Sequence, residues 1–212
     1  MDNLKLKRML REPIQEIFDV ARYLDAAVSA HMQGNSDVAK QLFALANHSR
    51  VREWTESIWG KNSPYVQVRK IERGEVKEKL PVRMPNADQK RKLLQRDGHH
   101  CRFCGIPVIR AEIRKYLHSI YPEQIPWGSS NITQHAGFQC LWLQYDHVIP
   151  HWHGGSNDLE NVVITCSACN YGKMQYSLEE IGLYDPRDFE PVKSTWDGLE
   201  RVLSFTHTVD SK

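Results

Sequence analysis

Two CxxC pairs carry the strongest chemical signal in the chain, Cys101-Arg102-Phe103-Cys104 and Cys166-Ser167-Ala168-Cys169. Each pair forms a tight knuckle that offers two thiolates to one ion. Together they supply the four ligands of a tetrahedral structural zinc. An iron–sulfur cluster also accepts four thiolates. A thioredoxin-like redox use needs a βαβ context that the flanking sequence lacks. The fifth cysteine, Cys140, stands apart from the pairs and reads as a small core residue.

The stretch from Gln144 to Lys173, QYDHVIPHWHGGSNDLENVVITCSACNYGK, gathers acid, imidazole and amide groups between the pairs. Asp146 can hold a divalent cation and His147 can take a proton from water. Asn161 and Asn170 offer amide oxygens. Carboxylate and amide oxygens suit Mg²⁺ or Mn²⁺, with zinc also open at this second site. Structural alternatives exist for both amides: a turn asparagine bonded to backbone for Asn161, and a helix-start residue for Asn170. His151 and His153 could assist the metal, contact a phosphate or serve as polar loop residues. Adjacent strand residues point to opposite faces, so Asp146 and His147 share a site only if the strand bends or ends there. Pro150 close behind is consistent with such a departure. Cations that could meet a nucleic-acid backbone are Lys90, Arg91, Lys92 and Arg96 in KRKLLQR, together with Arg102 and Lys173. A solvated helix face is the alternative reading of the first four.

These groups need elements to position them. QCLWLQYDHVIP reads as a strand and LENVVITC as a second one. SACNYGKMQYSLEEIG reads as a helix with a break near Gly172. Asn86 and Gln89 fit a capping box for a helix running to Asp97, ended by Gly98. RAEIRKYLHSIYPEQ is compatible with a helix that carries Ile113, Tyr116, Leu117 and Ile120 on one side. Upstream, Ile14, Ile17, Phe18, Ala21, Leu24 and Val28 recur at three- and four-residue steps, the stripe of a packed helix. GNSD at 34–37 interrupts that helix and offers Ser36 or Asp37 as a cap for a second. A third covers Val51 to Trp59, ended by Gly60. Tyr65-Val66-Gln67-Val68 alternates like a short strand, and WDGLERVLSF, from Trp196 to Phe205, is amphipathic.

The resulting organisation is α+β: a helical region over 1–70, a charged connector over 71–85, a cysteine-bearing module over 86–184 and a C-terminal helical extension over 185–212. The apolar helical region has no chemical cluster beside it. That predicts a surface for a second copy of the chain or a regulatory protein partner. With 28 basic and 26 acidic residues in 212, the net charge of +2 neither requires nor excludes nucleic acid. The opening MDNLKLKRMLREP is too polar for a secretory signal, and no apolar run is long enough to span a membrane. The expected compartment is the cytoplasm, where cysteine pairs mean metal rather than disulfides.

The stretch resembles the HNH endonucleases with a ββα-metal fold. The matching pieces are CRFCG at 101–105, DHVIP at 146–150, GG at 154–155, LENVVITC at 159–166 and CSACN with Lys173. The resemblance covers about 88–184 and implies a nuclease acting on nucleic acid, with DNA the expected substrate. It implies His147 as general base and Asp146 on a catalytic metal. It further implies Asn161 as a brace of the hairpin loop that meets the metal in some members, and Asn170 as a metal ligand on the helix. The long interval from Cys104 to Asp146 implies an insertion at about 106–138. A zinc-stabilised nucleic-acid-binding module without cleavage activity is the competing reading.

Overall fold

The computed structural model describes residues 6–60, Ser63 and 84–204. The strand expected at 65–68 and most of the connector expected at 71–85 lie outside those residues. The described part is α+β: ten short to medium α-helical and strand elements that share one hydrophobic core. No described helix is long and apolar enough to cross a membrane.

The N-terminal stripe forms α1 (Gln15–Met32), followed by α2 (Ser36–Leu45) and α3 (Ser49–Trp59). The stripe is buried inside the chain. Ile17, Val20, Leu24, Ala27 and Val28 are all fully enclosed, against α2 and the downstream segments. The cap of α2 is Asn35, one residue before the expected Ser36, and no side-chain oxygen bonds the helix there. Phe43 of α2 illustrates how the two halves join. Its ring meets Tyr121 at 5.1 Å and Phe138 at 6.4 Å. Burying an aromatic side chain of this kind is worth roughly 1.5–3 kcal/mol.

Helix α4 (Ala87–Asp97) starts with the expected capping box: the Gln89 backbone N–H donates to Asn86 Oδ1 and the Asn86 N–H donates to Gln89 Oε1, each at 2.9 Å. Gly98 follows as its C-cap. The expected helix over the insertion is α5 (Ala111–Ile120), with Ile113 and Leu117 buried but Ile120 largely exposed. Gln139 and Cys140, expected in a strand, instead belong to a short helix, α6 (Ala136–Cys140). Its start is fixed by one distant group and by the residue just before it. The Ala136 N–H donates to Asn47 Oδ1 (2.8 Å), and His135 Nδ1 accepts from the Phe138 N–H (3.2 Å). Cys140 is a fully buried core residue, as expected.

The sheet is one antiparallel pair, β1 (Leu143–His147) and β2 (Val162–Cys166), in register Leu143↔Cys166 through His147↔Val162. Helix α7 (Ser167–Lys173) leaves β2 directly. The break expected near Gly172 comes at Met174, whose φ of 57° is left-handed. Gly172 itself is helical for a different reason. A Cβ there would lie 2.4 Å from Ile58 and 2.6 Å from Leu10, so only glycine lets α7 seat against the N-terminal region. Helix α8 (Leu178–Ile181) follows. In the C-terminal extension expected to be helical, a 3-10 turn at Pro186–Asp188 and residues 201–204 are the helical parts among those described. Leu199 and Val202 enter the core, and Arg201 donates to Asp25 of α1 at 2.7 Å.

Candidate active site and metal centre

The metal centre is assembled from two places far apart in sequence. Cys101 and Cys104 lie in the turn after α4, and Cys166 and Cys169 at the junction of β2 with α7. The first knuckle closes by Gly105 N–H donation to Cys101 O (2.8 Å). It is tied to the strand by Arg102 N–H donation to Ile164 O (2.9 Å). In the second, Cys166 caps α7, its sulfur accepting from the Cys169 N–H at 3.4 Å. All four sulfurs are buried and lie within 4.8 Å of one another. The Cys104 and Cys166 sulfurs are 3.7 Å apart. Zinc–sulfur bonds of ~2.3 Å in a tetrahedron put sulfurs about 3.8 Å apart, so the set fits one zinc. Burial opposes ionisation of Cys101. Hydrogen bonds from the other three nonetheless hold it well below the usual thiol range, and hydrogen bonding to it pushes Cys104 and Cys169 well above. A dication is what lets all four become thiolates at once.

The first knuckle is also held by charge. Asp97, the fully buried last residue of α4, accepts two bonds from Arg96 (2.7 Å each) and one from Arg102 (2.6 Å). Its Oδ2 also takes the Ile164 backbone N–H (3.0 Å). Arg102 further donates to the Pro186 and Phe189 carbonyls. This corrects the expectation of a phosphate contact: Arg102 is buried and its guanidinium holds the C-terminal extension onto α4. Arg96 is committed likewise, to Asp97, Val162 O and Leu159 O. Asp97, which organises both arginines, carried no signal in the sequence beyond its place at a helix end. Lys90, Arg91 and Lys92 remain on the surface side of α4. Arg91 and Lys92 pair with Asp88, and Lys90 sits 5.4 Å from the centre of the Tyr145 ring.

The second centre lies at the end of β1. The strand stops at His147, and burial does not alternate along it: the neighbours Asp146 and His147 are both buried. The two therefore line one cavity of about 500 Å³, with Asn170 of α7 and with His151, Trp152 and Tyr171. Asp146 is tied down on one side. Lys173, at the end of α7 and 1% exposed, reaches its Oδ1 at 3.3 Å and donates to His147 O at 2.8 Å. Lys173 is thus an internal cation rather than the surface phosphate contact expected. Burial pushes the Asp146 carboxyl up to about 6, against the opposing pull of Lys173. Its other oxygen, Oδ2, is buried with no hydrogen-bond partner among the described residues. Together with the Asn170 amide lining the same cavity, that oxygen fits a hard divalent cation.

His147 Nε2 lies 2.8 Å from Asn157 Oδ1. The Asn157 amide is oriented by donation from its Nδ2 to Met84 O (3.5 Å), and its loop by Gln89 donation to Asn157 O (3.0 Å). An acceptor at Nε2 favours the neutral tautomer that carries its proton there. Asn157 was not singled out in the sequence, where it is one polar residue in GGSND. Only its distance to His147 identifies it. The His151 ring stands edge-on to His147 at 5.9 Å, while His153 is exposed and lies 3.9 Å from Glu180.

Asn161 is placed under the loop that joins β1 to β2. Its Oδ1 accepts from the Ile149 N–H (2.8 Å), and its Nδ2 donates to Ile149 O (3.1 Å) and Ser156 O (2.9 Å). Gly155 completes this packing. A Cβ there would lie 1.8 Å from Ile149 O and 2.7 Å from Asn161 Nδ2, which no side chain can satisfy.

Residues 138–182 match the model of a family described as HNH endonuclease. No curated protein and no solved structure matches the chain. The family match falls on the same strand–strand–helix stretch that brings Asp146, His147 and Asn170 to one cavity, so it is over residues 138–182 that the chain is similar to the HNH endonucleases.

Proposed function

We propose that the chain is a metal-dependent endonuclease that hydrolyses phosphodiester bonds of DNA. One observation carries the reading: a proton acceptor, a carboxylate with an unpartnered buried oxygen and an amide line a single cavity in the family's nuclease module. His147, oriented by Asn157, takes a proton from water. The water oxygen bonds to phosphorus as the P–O3′ bond breaks in line; the 3′ oxygen takes a proton from solvent and His147 returns its proton to solvent, giving a 5′ phosphate and a 3′ hydroxyl. A Mg²⁺ or Mn²⁺ ion held by Asp146 and Asn170 would supply charge stabilisation at the phosphoryl and leaving oxygens. Asn161 shapes the loop that carries the site and contributes no proton. A structural zinc on the four cysteines supplies folding energy. Lys90, Arg91 and Lys92 are the cations we assign to the DNA backbone, and we assign His151, which lines the site, and the exposed His153 to the same substrate. The compartment is the cytoplasm and the role that of a restriction or phage-defence effector, settings in which HNH modules occur. Control by a second copy or a regulatory protein would use surfaces other than the buried stripe of α1.

Nicking of supercoiled plasmid with Mg²⁺ or Mn²⁺ tests the reading. His147→Ala should reduce cutting by about 10²- to 10⁴-fold while zinc content and DNA affinity stay near those of the unchanged protein. Near-normal cutting by that variant overturns the assignment of the base. One observation favours the second reading, a zinc-stabilised DNA-binding module that does not cut: Lys173 already places a positive charge against Asp146, as a site without a metal would need. Absence of cutting on every substrate and with every divalent metal, alongside measurable DNA binding, would decide for the binder.

A further inference from the structure

A second cavity, of about 590 Å³, opens beside the one that holds Asp146 and His147. The two share Asn170, Tyr171, Met174 and Gln175, so they are neighbouring parts of one cleft. Their chemistry differs. The first carries an acid and two imidazoles. The second contains no charged side chain among its lining residues; aromatic and amide groups predominate, with Trp59, Trp142, Tyr171 and Gln139 prominent. Trp59 of α3 and Tyr171 of α7 already meet edge to face, 5.0 Å between ring centres. A helix of the N-terminal region thus forms one wall of the cleft.

Two lining groups have unmet hydrogen-bonding capacity. Trp59 Nε1–H and Gln139 Oε1 are both buried and find no partner among the described residues. Gln139 as a residue is 1% exposed. Its amide nitrogen donates to Gln134 Oε1 at 3.2 Å, and both residues line the cavity. A ligand suited to this wall is planar, uncharged and carries both a donor and an acceptor on its edge. A phosphate fails on charge, since the wall offers no cation. An aliphatic side chain fails on the unmet donor and acceptor. A nucleobase meets all three conditions.

We propose that this cavity takes one unstacked nucleobase of the substrate strand, next to the phosphate held at Asp146 and His147. The inference rests on the nuclease reading for its substrate class. It assigns α3 a part in substrate selection: the enzyme prefers strands in which a base beside the scissile phosphate can leave the stack, such as single strands, mismatches or frayed ends.

The experiment uses the full zinc-loaded chain without divalent catalyst, so binding is read whether or not the protein cuts. The probe is a DNA oligonucleotide, single- or double-stranded, with 2-aminopurine placed at successive positions. One position should show strong quenching as its ring stacks on tryptophan. Replacing that base by an abasic residue should weaken binding by roughly 5- to 150-fold, the range for loss of one base–aromatic stack. Trp59→Ala should abolish the quenching and bind intact and abasic strands alike, while Trp59→Phe should restore most of the difference. Zinc content and circular dichroism report whether Trp59→Ala remains folded. If it does not, Tyr171→Ala, at an exposed position, repeats the comparison. Uniform fluorescence along the strand, with no penalty at any abasic position, overturns the pocket even if the protein cuts DNA. A quenched position in a protein that never cuts retains the pocket and overturns the nuclease.

Discussion

Replacing Asn161 by alanine removes three side-chain hydrogen bonds, of 2.8, 3.1 and 2.9 Å, that hold the β1–β2 loop. Asn161 is 6% exposed, so water does not readily replace its amide. Each bond contributes about 1 kcal/mol net. Ile149 is half exposed and its backbone groups regain some solvent, which places the expected loss of stability at about 2–4 kcal/mol. The Val148 N–H bond to Asn161 O, at 2.8 Å, is made by backbone and survives. The strands should therefore stay paired while the loop loosens. Asn161→Asp should be worse at neutral pH. It keeps the acceptor for the Ile149 N–H but turns a carboxylate oxygen toward the Ile149 and Ser156 carbonyls. Acidification that protonates the new carboxyl should recover part of the loss, because a carboxylic acid can donate one of the two missing bonds. Urea unfolding of the zinc-loaded protein measures both variants, with zinc retention followed in the same samples. Turnover at low temperature, where both remain folded, should also fall, because the loop carries Asn157 against His147. An Asn161→Ala midpoint shift equivalent to less than about 0.5 kcal/mol, the range of ordinary surface substitutions, would refute the idea that this amide braces the site.

Chelating the zinc should melt α1–α3 together with the cysteine module in one transition, because Phe43, Phe138 and Tyr121 form one core; two separated transitions in helical circular dichroism would contradict this. Asn157→Ala should lower turnover about 10- to 100-fold by freeing the orientation of His147, with DNA affinity unchanged. Asn157→Asp, which keeps an acceptor at Nε2, should restore most of it, and equal loss in both variants would count against a positioning role. His135 gives a stability prediction. Burial holds it down to about 4, against about 6.5 in an unfolded chain. As pH falls the unfolded state takes the proton first. The protein should therefore lose up to about 3 kcal/mol between pH 6.5 and 4 and lose nothing from this group above that window. Urea midpoints of wild type and His135→Gln across the same range isolate the effect, and parallel curves would dismiss it.

The internal cation beside Asp146 shapes how the site works. Lys173 reaches the carboxylate from the last turn of α7, the element that also carries Asn170. The strand end and the helix are thereby locked together without any ion. The carboxyl nevertheless stays high, at about 6, because the loss of water outweighs one neighbouring charge. Lys173 contacts Oδ1 and leaves Asp146 Oδ2 as the oxygen that could hold a divalent cation.

Local chemistry was legible in the sequence. The capping box of Asn86 and Gln89 depends on four consecutive residues, and it is present bond for bond. The CxxC pairs specify their own knuckles, and two knuckles with an intervening strand leave one economical way to gather four sulfurs. The segments around Leu143–His147 and Val162–Cys166 are legible as strands, and both strands are shorter than the sequence suggests, the first most of all. Its upstream end belongs to helix α6, whose first N–H, on Ala136, is taken by Asn47 from another part of the chain, while the buried His135 caps the Phe138 N–H. No local propensity contains that information. The destination of each charged side chain was equally undetermined. Arg102 and Lys173 look like surface cations in a string of letters, and only the folded arrangement puts Asp97 and Asp146 within reach and water out of it. The partner of His147 and the meeting of Trp59 with Tyr171 are contacts of the same kind. Sequence determines which groups exist and how neighbours along the chain are spaced. Which distant groups meet is decided by packing, where shape and the cost of burying an unpaired charge act over the whole molecule.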